Sequence, residues 1–299
     1  MDILKPLYEL FGAIMKFIYN TLSFQNYGFA IIIFTVFTKL LLAPFSIKAL
    51  KSTGQNAEMQ KEVAEINRLF KGNRERIAEE TQKIYTKYNF SPMSGCLPQL
   101  LQFPIIMVLF QIVREPITYI LGKGALVGSA LNALDIKNAT YSQLEMINKL
   151  AENPSLIDSI RGFTQNDIIN FNFLGINLGR TPTIDFSLIK DLPGVYLPLL
   201  LIPILAAATT YLQTFIMNKI NQNKADQGQP GAAGMMKAMT FMMPAMIAVF
   251  AFQVPASMGL YWIVGNIFTI GQQLIMNKFM NKGKKGKDSD IIEVKGKRV

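Results

Sequence analysis

Histidine is absent from this 299-residue chain, and cysteine occurs once, at Cys96. The usual zinc ligand sets therefore cannot be assembled, nor can a Ser-His-Asp triad or an intramembrane Ser-His dyad. A lone cysteine excludes an intrachain disulfide. No G-x-x-x-x-G-K-S/T run is present, so P-loop nucleotide hydrolysis is not expected. No metal, cofactor or catalytic residue is expected, and the chain reads as a non-enzyme. Charge is scarce as well: 17% of residues are charged, against about 25% in ordinary soluble domains. The scarcity falls in blocks, as separate membrane spans require. No apolar block holds Asp or Glu in its middle; Glu115 stands at the far end of one, beside Arg114.

Against that background one cation stands out. Phe29 to Phe45 reads FAIIIFTVFTKLLLAPF, and Lys39 is its only charge. With its flanks the run is long enough to cross a bilayer. A lysine at such depth costs about 2.5–3.5 kcal/mol on insertion scales and normally faces water or a partner. Snorkelling is the competing account, but Lys48 lies about 13 Å further along a helix axis, a long reach for one side chain. A wet, positively charged cavity is expected. Polar residues on several blocks could line it: Thr35, Thr38, Gln102, Thr209, Thr210, Gln213, Asn266, Thr269, Gln272 and Gln273. Each alone is commonly helix–helix glue.

The expected fold is an all-α integral membrane protein with five transmembrane helices. Residues 1–24 form an interfacial amphipathic helix whose stripe is Leu7, Leu10, Phe11, Ile14, Met15, Ile18 and Leu22, with Phe17 and Tyr19 off it. A signal peptide is the competing reading, weakened by the missing basic n-region and cleavage site. Spans follow at 25–47, 96–117, 194–217, 237–254 and 257–277. Four spans, with 237–277 re-entrant, is the alternative. Residues 48–95 form a cytoplasmic helical hairpin: Met59, Val63, Ile66, Phe70 and Ile77, Thr81, Ile84, Tyr88 recur at helical spacing around a Gly72-Asn73 turn. The segment 118–193 lies outside, and its Phe171, Phe173, Leu174, Ile176 and Leu178 form an apolar patch expected to dock on the outer membrane surface. A cytoplasmic loop spans 218–236, and the basic tail 278–299 is expected to be disordered.

The net charge of +10 suits nucleic acid, anionic lipid or ribosome partners. Its placement suits topology better. Lys and Arg crowd 48–95, 219–237 and the tail, so the N-terminus lies outside and the C-terminus in the cytoplasm. DNA is not an expected partner.

The order of elements and five motifs resemble the YidC/Oxa family of membrane protein insertases. TVFTKLLLAPF (35–45) has a basic residue five before the proline. SPMSGCLPQLLQFPI (91–105) resembles the family run N-P-x-x-G-C-x-P-x-x-x-Q-x-P-I. NFLGINLG (172–179), ILAAATTYLQ (204–213) and PASMGLYWIVGNIFTIGQQ (255–273) look like family segments. Three departures stand beside them: Lys39 where Arg is frequent, Ser91 for Asn, and a long 119–171 segment. The large periplasmic domain and extra first span of some members have no counterpart here. The resemblance implies a bacterial plasma-membrane insertase and chaperone that acts on nascent membrane proteins through a positively charged hydrophilic groove, without nucleotide hydrolysis. It implies that Trp262 faces the groove, that the Sec translocon and membrane lipids are partners, and that the basic tail touches the ribosome. Met239, Met242, Met243 and Met246 would offer an adaptable apolar path for substrate. Two other classes stay open. A small-solute or ion transporter would show inverted repeats and a central intramembrane acid. An assembly scaffold acting through 50–90 would make Lys39 dispensable.

Overall fold

A computed structural model describes residues 4–54, 57–88, 97–137, 139–225 and 230–296; Asn138, Cys96 and the opening of the 91–105 motif lie outside them. The chain is mostly helical. The helices are α1 (Lys5–Phe17), α2 (Tyr27–Gly54), α3 (Ala57–Leu69), α4 (Arg74–Lys87), α5 (Leu97–Arg114), α6 (Val127–Ala133), α7 (Ser142–Glu152), α8 (Phe186–Asp191), α9 (Pro193–Leu199), α10 (Leu201–Ala225), α11 (Pro230–Ala251) and α12 (Ala256–Gly296). Among the described residues one antiparallel hairpin interrupts them, with β1 (Asn172–Phe173) paired to β2 (Ile176–Asn177). Among the described residues, Tyr27–Ile47 and Pro193–Lys219 are long and apolar enough to cross a membrane. Gln102–Arg114 and Thr240–Ala251 are shorter apolar helices. Helix is the form such segments must take in lipid, since it satisfies every backbone donor and acceptor internally.

Two compact units divide the chain. The first comprises residues 1–41, 101–210 and 243–265; the second comprises 42–100, 211–242 and 266–299.

The first unit holds the large core, in which Tyr27, Ile31, Phe34, Leu109, Ile112, Ile117, Leu144 and Ile147 are buried. α1 and the turn after it enter this core through Phe11, Met15, Ile18 and Tyr19, while Leu10, Phe17 and Leu22 stay exposed. The inward face is thus narrower than the stripe read from sequence, and it includes Tyr19. The chain widens to a π-helical turn at Ile18–Leu22, which carries the buried Ile18 and Tyr19. Gly12 lets α1 approach Tyr119, whose Cδ1 would lie 3.0 Å from an added Cβ.

Residues 118–193 fold onto this core. Gln143 Oε1 accepts from the backbone N–H groups of Ile117 (2.9 Å) and Thr118 (3.2 Å). The N–H groups of Ala256 and Ser257, at the start of α12, donate to the carbonyls of Arg180 (2.9 Å) and Leu178 (3.1 Å). Donors that a helix leaves unmatched at its first turn are thereby satisfied. Phe171 and Leu178 are buried, Phe173 and Ile176 half-buried, and only Leu174 of the expected apolar patch is fully exposed. Phe173 pairs with Ile176 and Phe171 lies opposite Leu178, so these four share one side of the hairpin; that side turns to the core, and Leu174 sits apart in the turn.

In the second unit α3 and α4 pack on each other through Met59, Val63 and Ile84, with Ile66, Tyr85 and Tyr88 against them. Gly72, at φ 96°, makes the turn, and Asn73 Oδ1 caps α4 by accepting from Arg76 N–H at 3.1 Å. α12 runs on to Gly296 and takes in the Lys/Gly-rich tail for which composition predicts disorder. Propagating a formed helix needs no new nucleus, so poor helix formers can follow a good span.

Candidate functional site

Lys39 sits half-buried on α2, with Thr35 and Thr38 buried on the preceding turn. The space it occupies depends on Gly265 of α12. A Cβ added there would lie 3.2 Å from Lys39 Cε, 3.7 Å from Nζ and 3.9 Å from Thr35 Cγ2. Absence of a side chain at 265 therefore lets the lysine stem lie along α12. Sequence reading did not single out Gly265. The signal was a glycine inside an apolar span, where it commonly marks close helix approach.

The threonines share one chemistry. Thr35 Oγ1 donates to Ile31 O (2.6 Å) and Thr38 Oγ1 to Thr35 O (2.9 Å). On α10, Thr209 Oγ1 donates to Leu205 O (2.8 Å) and Thr210 Oγ1 to Ala206 O (2.7 Å). Each hydroxyl proton goes to its own helix, which leaves oxygen lone pairs as the groups these residues can offer. Thr35 and Thr38 thus place acceptors next to a cation on one helix.

Gln102 is buried, and its Nε2 donates to Tyr261 Oη, joining α5 to α12 within the first unit. Tyr261 is itself buried, 2% exposed. Trp262 is half-buried and meets Phe250 edge-on at 5.4 Å. Met243 is half-buried, while Met246, Val249 and Phe250 are exposed on α11.

The remaining expected residues belong to the second unit. Gln213, Asn266 and Gln272 are half-buried, and Gln273 is buried. Gln272 Nε2 and Gln273 Oε1 are buried without a hydrogen-bond partner among the described residues. Met242 is exposed, and the side chain of Met239 lies outside the described residues. Asn218 Nδ2 donates to Thr240 Oγ1 at 2.6 Å, linking α10 and α11. Among the described residues no three His, Cys, Asp or Glu side chains gather as a metal would need.

The family model of the 60Kd inner membrane protein matches residues 17–284. The chain belongs to that family. It is 28% identical over 278 residues to a protein of Clostridium perfringens (strain 13 / Type A) named membrane protein insertase YidC, covering 91% of this chain and 90% of that one. Proteins of the same name from Oceanobacillus iheyensis and Clostridium tetani are similar too. The first is 28% identical over 261 residues, 86% of this chain and 76% of its own. The second is 27% identical over 285 residues, 95% of this chain and 97% of its own. The YidC/Oxa resemblance carried by the motifs at 35–45, 91–105 and 255–273 and this family membership agree.

Proposed function

We propose that this member of the 60Kd inner membrane protein family is a membrane protein insertase and chaperone of the bacterial plasma membrane. The observation that carries the reading is Lys39. It is the single cation of the span Tyr27–Ile47, it lies along Gly265, and the relatives are named for insertion.

A charge inside a span costs a few kcal/mol unless water reaches it. A hydrated groove at Lys39 would meet that need, with Thr35 and Thr38 offering acceptors beside it. Its field would draw the acidic, translocated part of a nascent chain inward, and shorten the lipid thickness that part must cross. Exposed Met246, Val249 and Phe250 would give the apolar part a path into lipid. No step in this scheme draws on nucleotide hydrolysis. In the proposed topology the five spans leave the N-terminus outside, with α3–α4 and the tail in the cytoplasm. The lysines and arginines of 48–95 and 278–299 support that orientation. α3–α4 would receive substrate, and the basic tail would touch the ribosome; the Sec translocon is a partner by family resemblance.

The test is rescue of an insertase-depleted bacterial strain, scored by insertion of a short single-span protein. The full chain should restore insertion. Removing residues 55–88 should reduce it with the protein still present in the membrane, and truncation after Asn281 should reduce ribosome co-sedimentation at low salt. Failure of the full chain to restore insertion would contradict the reading.

A further inference from the structure

Two apolar side chains stand in the open at the start of α2. Phe24 is 92% exposed and Leu174 is 86% exposed. Both have left-handed backbones, Phe24 at φ 54° and Leu174 at φ 52°, a region that bulky residues rarely adopt. Leu174 and Gly175 (φ 80°) are the two loop residues of the β1–β2 hairpin. Positive φ at both marks a type I′ turn, whose first position favours Asn, Asp or Gly. Leucine there is neither the easy turn residue nor a buried one.

The two turns are stitched together. Tyr27 N–H donates to Asn170 O (3.0 Å) and Asn26 Nδ2 to Asn172 O (2.9 Å). Phe173 packs so closely on Gly28 that an added Cβ would lie 2.3 Å from its Cγ, and its ring meets Phe29 edge-on at 5.3 Å. Asn26 Oδ1 accepts from Phe29 N–H at 3.2 Å, so the same residue that holds the hairpin also caps α2. Each exposed residue is two positions from an asparagine of this stitch.

Their depth follows from the span. Tyr27–Ile47 has 21 residues, about 32 Å of helix, which matches the hydrocarbon thickness of a bilayer. Residue 27 then lies at the hydrocarbon edge, and Phe24 and Leu174 lie in the headgroup zone just beyond. We propose that Phe24 and Leu174 form a paired anchor that inserts into the phospholipid headgroup–acyl boundary and fixes the height of α2, and with it Lys39, in the bilayer. The inference rests on the reading that α2 crosses the membrane. Lipid accounts for both oddities: it removes the two side chains from water, and it repays holding them in a conformation that aims them away from the protein.

Full-length protein carrying Trp262→Phe has no other tryptophan, so single reporters Phe24→Trp, Leu174→Trp and Phe37→Trp can be read in liposomes of brominated phosphatidylcholine. Phe37 is 40% exposed and lies about 15 Å further along α2. The expected result is blue-shifted emission at 24 and 174, quenched several-fold more by bromines near the headgroup than by deep ones, with the opposite order at 37. Quenching at 37 but water-like, unquenched emission at 24 and 174 would overturn the anchor while leaving the span intact. Blue-shifted but unquenched emission at 24 and 174, the result if a protein partner covers the pair, would overturn the anchor equally. No quenching at any of the three would overturn both.

Discussion

Residues 118–193 of the first unit and the α3–α4 pair of the second both carry many charges, and they use them differently. In the first, Lys123 Nζ donates to Asp167 Oδ2 (2.6 Å) and Gly162 O (2.9 Å) and lies 5.2 Å from the centre of the Phe163 ring. Asp167 Oδ2 also accepts from Thr164 N–H and Oγ1. Arg180 pairs with Glu152, and Gln143 spends both ends of its amide on residues 117 and 118. These groups join stretches of chain far apart in sequence and sit over a deep core. In α3–α4, Lys83 pairs with Glu79 and Glu80, and Lys87 with Glu62; both lysines and Glu79 are exposed, Glu62 and Glu80 half-buried. Surface pairs of this kind contribute little, and the seam beneath them is only Met59, Val63, Ile84 and their neighbours. One region is built to hold a position and the other to open at low cost.

Core truncation should separate them most. Phe171 is 4% exposed, meets Tyr27 edge-on at 5.0 Å, and leaves no room for a Cβ at Gly179. Phe171→Ala should cost about 3–5 kcal/mol and lower amide protection throughout 118–193. Val63→Ala removes two buried methyls, about 1.6 kcal/mol of burial, and should speed exchange only within 57–87. Hydrogen exchange in detergent reads both, and a global loss from Val63→Ala equal to that from Phe171→Ala would break the distinction.

A smaller effect is expected from pH. Burial alone would raise the Asp167 carboxyl, but hydrogen bonds from Lys123 and Thr164 outweigh it and hold the group below the usual carboxylate range. A depressed folded pKa means stability that is fully present above the unfolded value, near pH 4. It is lost as pH falls through the lower folded value. Thermal unfolding followed from pH 5 to pH 2 should show that loss, about 1–3 kcal/mol for hydrogen bonds to a buried charge. Asp167→Asn should flatten the profile. Glu62 and Glu79 are also held low, chiefly by hydrogen bonds from Lys87 and Lys83 respectively. Glu79 is exposed, so Glu79→Gln should leave the profile nearly unchanged.

How far this was legible in the sequence depended on whether one residue's signal sufficed. Lys39 was legible because a lone cation in an apolar run conflicts with its surroundings and needs no partner to be noticed. The residues buried between α3 and α4 are ones that the three- and four-residue spacing marks. Gly265 and Tyr261 were not legible, since each acquires meaning only from a helix far away in sequence. The NFLGINLG stretch misled for a different reason. Five apolar residues suggest one sticky face, but the turn at Leu174-Gly175 sends Phe171 and Leu178 into the core and leaves Leu174 alone outside. Phe24 was invisible, because its left-handed turn contains neither Gly nor Asn at the two positive-φ positions.

The central claim is that the charge at 39 acts on the substrate. It is tested most directly by reconstituting Lys39→Arg, Lys39→Ala and Lys39→Glu and measuring insertion of matched single-span substrates that differ only in the charge of the translocated tail. Arginine keeps the cation, so insertion should persist. Alanine, the best helix former, should leave α2 in place yet slow acidic tails about tenfold, equivalent to about 1.4 kcal/mol of lost attraction. Glutamate should slow them further, and neutral tails should suffer least throughout. Equal slowing of acidic and neutral tails, or no slowing of either, would contradict the account.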